Sequence, residues 1–403
     1  MGSNRGKIKV GADILSEKDF KLLKGKRIGL ITNHSAYLSN GVHLADALYE
    51  NKDIKIMSFF GPEHGIRGDS PDGMKISHEE DPKTKIKIYS LYGKINKPTP
   101  DMLEGIDLLV YDIQDIGARF YTYISTLFLT MEAAAENNID YVILDRPNPI
   151  TGLRIEGPVL DPEFKSFVGL VPIPVIHGMT IGELGMLVNS EGWLDGGLKA
   201  NLTVIKMEGW NRSLWYDDTG LEWIKPSPNM TSIKTAIIYP GTCFFEGTNI
   251  SEGRGTNHPF ELVGAPFIDG KLLAEEMNKF KLPGVVFKPV HFTPKNINKI
   301  TNKPKYVSEK CSGIFIEIIN RNIYEPVKVA MYLLSKIKEM YPDDFNWRPR
   351  SKSTGHYYID LLSGTDVIRK MIDDGNEPEK IYSNSSFNVK DFLQKREKYL
   401  LYD

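Results

Sequence analysis

The strongest constraint on this chain is a repeated pattern in its first half: short apolar runs, each ending in polar residues. RIGLITNHSA at 27–36, IKIMSFF at 54–60, DLLVYDIQD at 107–115 and YVILDRPNP at 141–149 are apolar at nearly every position before the polar end, while KIKIYSLYG at 85–93 alternates. Between the two runs at 107 and 141, Phe120, Tyr123, Ile124, Leu127, Met131 and Ala134 recur at helical spacing, the mark of a helix packed on a sheet. Such strands alternating with helices predict a mostly parallel sheet covered on both faces. In these sheets ligands collect beyond the carboxyl ends of the strands. Asn33 and His34, Glu63 and His64, Asp112 with Asp115, and Asp145 with Arg146 fall at four such ends, which makes them candidates for one shared rim. The competing reading is that some of them only cap helices or pair as ions; Asp145 and Arg146, for instance, are placed to brace the PNP turn.

The run at 54–60 delivers the loop FFGPEHGIRG, 59–68. Its Gly-Pro pair stops the strand, two further glycines permit tight backbone geometry, and Glu63, His64 and Arg67 have no apolar periodicity to bury them. Farther on, 156–178 is rich in proline and glycine yet too apolar for free solvation, so it reads as extended chain that wraps the domain and brings His177 back to the rim. Residues 179–193 form a helix with Thr180 as N-cap and Glu183 in capping-box position. NLTVIKMEGW at 201–210 is a further strand, and WIKPSPNM at 223–230 closes this half. At 403 residues the chain exceeds one small core, and the pattern divides it into 10–232 and 233–403.

The second part opens with another dense stretch, 238–266, where Glu246, Asn249, Glu252, Arg254 and Asn257 crowd into a dozen positions among glycines. The glycines suit close approach of backbone to a ligand, and the side chains supply the directed hydrogen bonds that polyhydroxylated substrates require. Beyond it, helices near 269–280 and 325–341, strands at 284–294 and 311–319, and shorter helices near the end predict an α+β domain. The segment 294–310 carries five lysines and reads as a solvated loop. Phe292 and Tyr324 read as core.

A formal net charge of −2 gives no overall basic field for a nucleic-acid backbone or an anionic membrane. Neither GxGxxG nor GxxxxGK[ST] can be written onto the chain, which disfavours a nucleotide enzyme. Cys243 and Cys311 are the only cysteines; they exclude a disulfide framework or a Cys-rich zinc site, while a single bridge between them stays compatible with the sequence. No run of 18 apolar residues occurs, so no membrane insertion is expected. The start, MGSNRGKIKVGADIL, lacks a signal-peptide core.

With these residues in view, the chain resembles the NamZ-type exo-β-N-acetylmuramidases. FFGPEHGIRG, DIQDIGARFYTY, LDRPNP, IHGMTIGEL, PSPNM and YPGTCFFEGTNISEGRGT occur in that order, and the likeness runs from about residue 10 to the end. The resemblance implies an α/β fold: a Rossmann-like N-terminal catalytic domain, a smaller α+β C-terminal domain, and a site in the cleft between them. It implies release of N-acetylmuramic acid from non-reducing ends of peptidoglycan fragments, with no metal or nucleotide cofactor. It also implies work outside the membrane, extracellular or periplasmic, although the start as given leaves a cytoplasmic home open.

The proposed catalytic glutamate of the family's PEHG motif corresponds to Glu63, expected as general acid, with His64 as a hydrogen-bond partner or proton relay. For the second group Asp115, Glu246 and Glu252 all qualify, as does the substrate's own acetamido group oriented by an aspartate. Asn33, Asp112, Tyr121, Asp145, His177, Asn249 and the same second-half acids are expected to bind substrate. Arg67, Arg119, Arg146 and Arg254 are the candidates for reading the lactyl carboxylate, at most two of them by direct contact. The rival class is a non-catalytic glycan-binding protein that uses the same cleft.

Overall fold

A computed structural model describes residues 7–63, 65–67, 79–384, 387 and 389–403. Its first half is built on strands β1 (Arg27–Thr32), β2 (Lys55–Gly61), β3 (Glu79–Glu80), β4 (Lys87–Ser90), β5 (Leu108–Asp112), β6 (Asp140–Leu144), β7 (Glu156–Val159), β8 (Pro174–Ile176) and β9 (Leu202–Ile205). Seven of them form one sheet in the order β3-β4-β2-β1-β5-β6-β9. Only the two-residue edge strand β3 runs antiparallel. The remaining six are parallel, as the continuous apolar runs predicted.

Successive residues of each central strand go to opposite faces, and both faces are covered. Leu30, Phe59, Val110 and Val142 are buried in one apolar cluster; Ile31, Phe60, Tyr111 and Ile143 are buried in the other. A strand exposed to water on one face could not be apolar at every position. The helix read from the 3.6-residue spacing is Tyr123–Glu136. A second, Ile181–Ser190, begins at Thr180, whose hydroxyl accepts from Glu183 N–H while the Glu183 carboxylate accepts from Thr180 N–H. Between them β7 and β8 pair as a small antiparallel hairpin, so the wrapping segment is partly strand.

In the second half β10 (Leu262–Ala265), β11 (Val285–Phe292) and β12 (Cys311–Ile318) form an antiparallel sheet in the order β10-β12-β11. Helix Gly270–Lys279 packs on it, and Pro326–Met340 packs on that helix. The dense stretch from 238 begins inside a helix: Ile233–Thr242 is helical and continues as a 3₁₀ turn, Cys243–Gly247. Pro240 lies inside this helix, which normally argues against one. Tertiary packing overrides it: a Cβ on Gly241 would sit 2.1 Å from the Pro326 carbonyl oxygen, so the helix backbone rests directly on the start of the helix Pro326–Met340. Cys243 and Cys311 are buried free thiols.

The two halves are tied at several points. Glu156 on β7 accepts the Lys328 N–H at 2.8 Å, in the first turn of Pro326–Met340. The last residues return to the first half, where Tyr402 donates to Asp145 Oδ2 at 2.6 Å and Leu401 N–H donates to Glu183. Among the described residues no helix is long and apolar enough to cross a membrane.

Candidate active site

The strand topology explains which expected residues meet and which do not. The chain runs outward from β1 through β2 to β4, then crosses back to β5, so the switch point lies between β1 and β5, where a crevice would open. That crevice is filled from within. Arg146, after β6, lays its guanidinium on Asp112 at the end of β5, with Nη2 2.9 Å from Oδ2, and both side chains are buried. Asn33, after β1, accepts the Ser35 N–H and hydroxyl with its amide oxygen. Asp145 accepts from Thr180, Gly182 N–H and Tyr402, and burial pushes its carboxyl up to about 7. None of these four lines the cavity between the halves; their contacts are caps and ion pairs, and those of Asp145 and Arg146 go elsewhere than the PNP turn.

The cavity lies instead off the β2 and β4 side, between the halves, with a volume of about 1150 Å³. Glu63 reaches it from the loop after β2, half-buried, at a turn in which Gly65 N–H donates to the Pro62 carbonyl and Gly65 takes φ +72°. Tyr92, following β4, and Phe120 to Tyr123, leading into the Tyr123–Glu136 helix, line the same side. The second half supplies Glu246, Asn249, Glu252 and Arg254. Thus Glu63, Tyr121, Glu246, Asn249, Glu252 and Arg254, from three stretches far apart in sequence, line one cavity. Edge-to-face rings join the two sides: Phe120 and Tyr121 meet Tyr239 at 5.5 and 5.8 Å, and Tyr239 meets Phe260 at 4.7 Å. Such a wall offers apolar faces to a ring-shaped ligand.

The charges on the far wall form a chain. Arg254 Nη1 is 2.7 Å from Glu246 and 3.4 Å from Glu252, and its guanidinium lies over the Phe260 ring. Lys305 donates to Glu252 at 3.0 Å and to the carbonyls of Phe245 and Ile250. Burial pushes the Glu252 carboxyl up, but Lys305 and Arg254 outweigh it and hold the group below its ordinary value. Glu246 is the more open of the two acids, and its second oxygen accepts no hydrogen bond among the described residues.

The other expected residues are engaged elsewhere. Arg67 turns to Asp81 and Asp46, each at 2.9 Å. Arg119, fully buried, donates to the carbonyls of Pro158, Ile173 and Leu362, which links the β7–β8 hairpin to the helix Tyr358–Ser363; burial pushes its pKa down to about 9. Asp115 is buried, accepts the Gly117 N–H at 2.7 Å and is pushed up to about 7 by burial. His177 was expected back near the rim, and its Nε2 does come within 3.9 Å of Asp115, but it is buried and held neutral, its pKa pushed down to about 3. Its Nδ1 accepts Met179 N–H, which puts the proton on Nε2. Neither lines the cavity. His64 lies outside the described residues.

Several lining residues had drawn no functional expectation. Thr301 to Tyr306, part of the lysine-rich segment read as a solvated loop, form cavity wall, as do Ser227, Asn229 and the run Asn346 to Pro349. The glycines explain the first of these. Gly255 takes φ +80°, and a Cβ there would lie 2.5 Å from the Lys295 carbonyl oxygen and 2.7 Å from Pro304. The close approach they permit is therefore chain against chain, a correction to the expectation that they face a ligand. Among the described residues no three His, Cys, Asp or Glu side chains gather as a metal-binding set.

Sequence models of the exo-β-N-acetylmuramidase NamZ N-terminal and C-terminal regions match residues 28–234 and 237–402. The chain belongs to the NamZ exo-β-N-acetylmuramidase family. Membership makes it a glycoside hydrolase, and the family's two-part layout follows the same division of the chain. A NamZ relative, the peptidoglycan beta-N-acetylmuramidase of Bacillus subtilis (strain 168), is 46% identical over 400 residues, 99% of this chain and 92% of the relative. Two solved DUF1343 family proteins from Bacteroides fragilis NCTC 9343 share the fold. One superimposes with a TM-score of 0.89 at 38% identity, covering 98% of this chain and 99% of its own; the other gives 0.78 at 34%, covering 99% of each.

Proposed function

We propose that this glycosidase acts on peptidoglycan fragments from their non-reducing ends, releasing N-acetylmuramic acid, with Glu63 as general acid. The observation that carries the proposal is the position of Glu63: a half-buried carboxyl on a turn, lining an aromatic-walled cavity that faces two further carboxylates across the domain junction. Cleavage of a glycoside needs a proton for the leaving oxygen and a second group for the anomeric carbon. Glu63 supplies the first. Glu246 is our choice for the second, because Asp115 lines no part of the cavity, while Glu252 is buried and bridged by Lys305 and Arg254. Arg254, bound to one Glu246 oxygen at 2.7 Å, fixes that carboxylate and leaves the other oxygen without a hydrogen bond among the described residues.

Incubation with a defined β-1,4-linked muramyl-glucosamine disaccharide tests the reading. Free N-acetylmuramic acid and N-acetylglucosamine in stoichiometric amounts are expected. Disaccharide that stays bound and uncleaved over hours would mark a glycan-binding protein instead. NMR of the freshly released sugar gives the anomer, and with it retention or inversion.

A further inference from the structure

We infer that Arg348, with Lys303 beside the same cavity, reads the substrate's carboxylate. The inference rests on the muramidase reading above and deepens it: a muramyl sugar differs from a glucosaminyl one by a lactyl carboxylate, and a cation, above all a guanidinium, is the usual partner of a carboxylate in a cleft.

Among the described residues four cations line the cavity: Arg254, Lys303, Lys305 and Arg348. Two are already engaged. An ammonium has three donors, and those of Lys305 go to Phe245 O at 2.6 Å, Ile250 O at 2.7 Å and Glu252 at 3.0 Å. Arg254 is shared between Glu246 and Glu252, so turning it to a substrate would leave carboxylates without their counter-ion in a partly dry wall. Arg67, Arg119 and Arg146 lie outside the cavity. Lys303 and Arg348 alone of the four make no ion pair among the described residues.

Arg348 is also held ready. Its N–H donates to Gly247 O at 2.8 Å, and Trp347 pairs antiparallel with Thr248. Asn249 exchanges bonds with Asn346 and takes Asp344 O through its amide, while Trp347 Nε1 donates to Asp373 at 2.8 Å. The guanidinium then lies 3.6 Å from the centroid of the Tyr358 ring. Stacking leaves the planar fork's edge available for a bidentate carboxylate. Lys303 is presented by a loop in which its own N–H donates to Asn296 at 2.8 Å and its backbone takes φ +53°, a conformation uncommon outside glycine. The wall thus offers two exposed cations without an ion pair among the described residues, beside a paired chain of charge.

Calorimetric titration of the intact protein with N-acetylmuramic acid and with its lactamide, which lacks the charge, tests the inference. Wild type should bind the acid about 10- to 100-fold tighter than the amide. R348A should lose most of that preference, R348K should keep part, and the double variant R348A/K303A should bind both sugars alike, with an unchanged melting temperature because both side chains are exposed. A preference that persists in the double variant, or is missing from wild type, would overturn the inference. Release of nitrophenol from a nitrophenyl N-acetylmuramide by the same wild-type preparation is scored separately: its absence removes the muramidase reading, while the binding arm still decides the carboxylate reader.

Discussion

Arg146 shows how a residue at the expected place can do a different job. Its position after β6 is where site residues gather in parallel sheets, but its guanidinium faces Asp112, whose side chain is fully buried. Removing one member of such a pair leaves a charge without compensation and costs about 3–5 kcal/mol. Arg146→Ala should therefore lower the unfolding free energy from urea titration by that amount while turnover per folded molecule holds; lost turnover with stability intact would return Arg146 to the substrate. Strand-end positions were legible because apolar runs stop there, and a run's end fixes where a residue sits on the sheet. It does not fix whether the side chain turns to a ligand or to a neighbour after the next strand, since that depends on which strands become adjacent. Asn33, Asp112, Asp145 and Arg146 were placed correctly along the strands, but their partners could not be read.

At the scale of elements, tight chain crossings and buried caps carry the consequences. The Gly255 backbone lies against Lys295 and Pro304 and so seats the 301–306 wall. Gly255→Ala meets both a positive φ and a 2.5 Å clash with backbone, and should destabilise by about 1–3 kcal/mol and raise KM; wild-type KM in this variant would mean that the wall is seated by other contacts. Glu156 reports on the junction of β7 with the helix Pro326–Met340. Burial pushes its carboxyl from 4.5 up to about 8, against the pull of the Lys328 N–H. The native state then holds a proton that the unfolded chain releases, so this contribution is complete below the unfolded value and is lost as pH rises through about 8. Glu156→Gln should flatten the decline of stability between about pH 5 and pH 8, read from urea midpoints; an unchanged slope would assign the decline to another group. Periodicity made the helices and strands legible. It could not reveal that a lysine-rich loop becomes cavity wall, because the reason lies in a glycine forty residues earlier.

For the whole molecule, the cavity exists because two distant stretches meet. Glu63 comes from the loop after β2, and Glu246, Glu252 and Arg254 come from the start of the second half, with the Arg119, Glu156 and Tyr402 contacts holding the halves in register. The two dense stretches could be recognised in the sequence separately, each by its glycines and charges, and the family resemblance placed the site between the domains; the contacts that bring the stretches together are a property of the packed chain. The family supplies glycoside hydrolysis, and the cavity supplies one carboxyl on the first domain's side among the described residues. The most direct test is Glu63→Gln, assayed for release of N-acetylglucosamine from the β-1,4-linked muramyl-glucosamine disaccharide, whose sugar leaving group needs a proton, beside wild type of equal melting temperature. Loss of the general acid should lower kcat by about 10²- to 10⁴-fold. Near wild-type turnover in the variant would remove Glu63 from the chemistry and contradict the account.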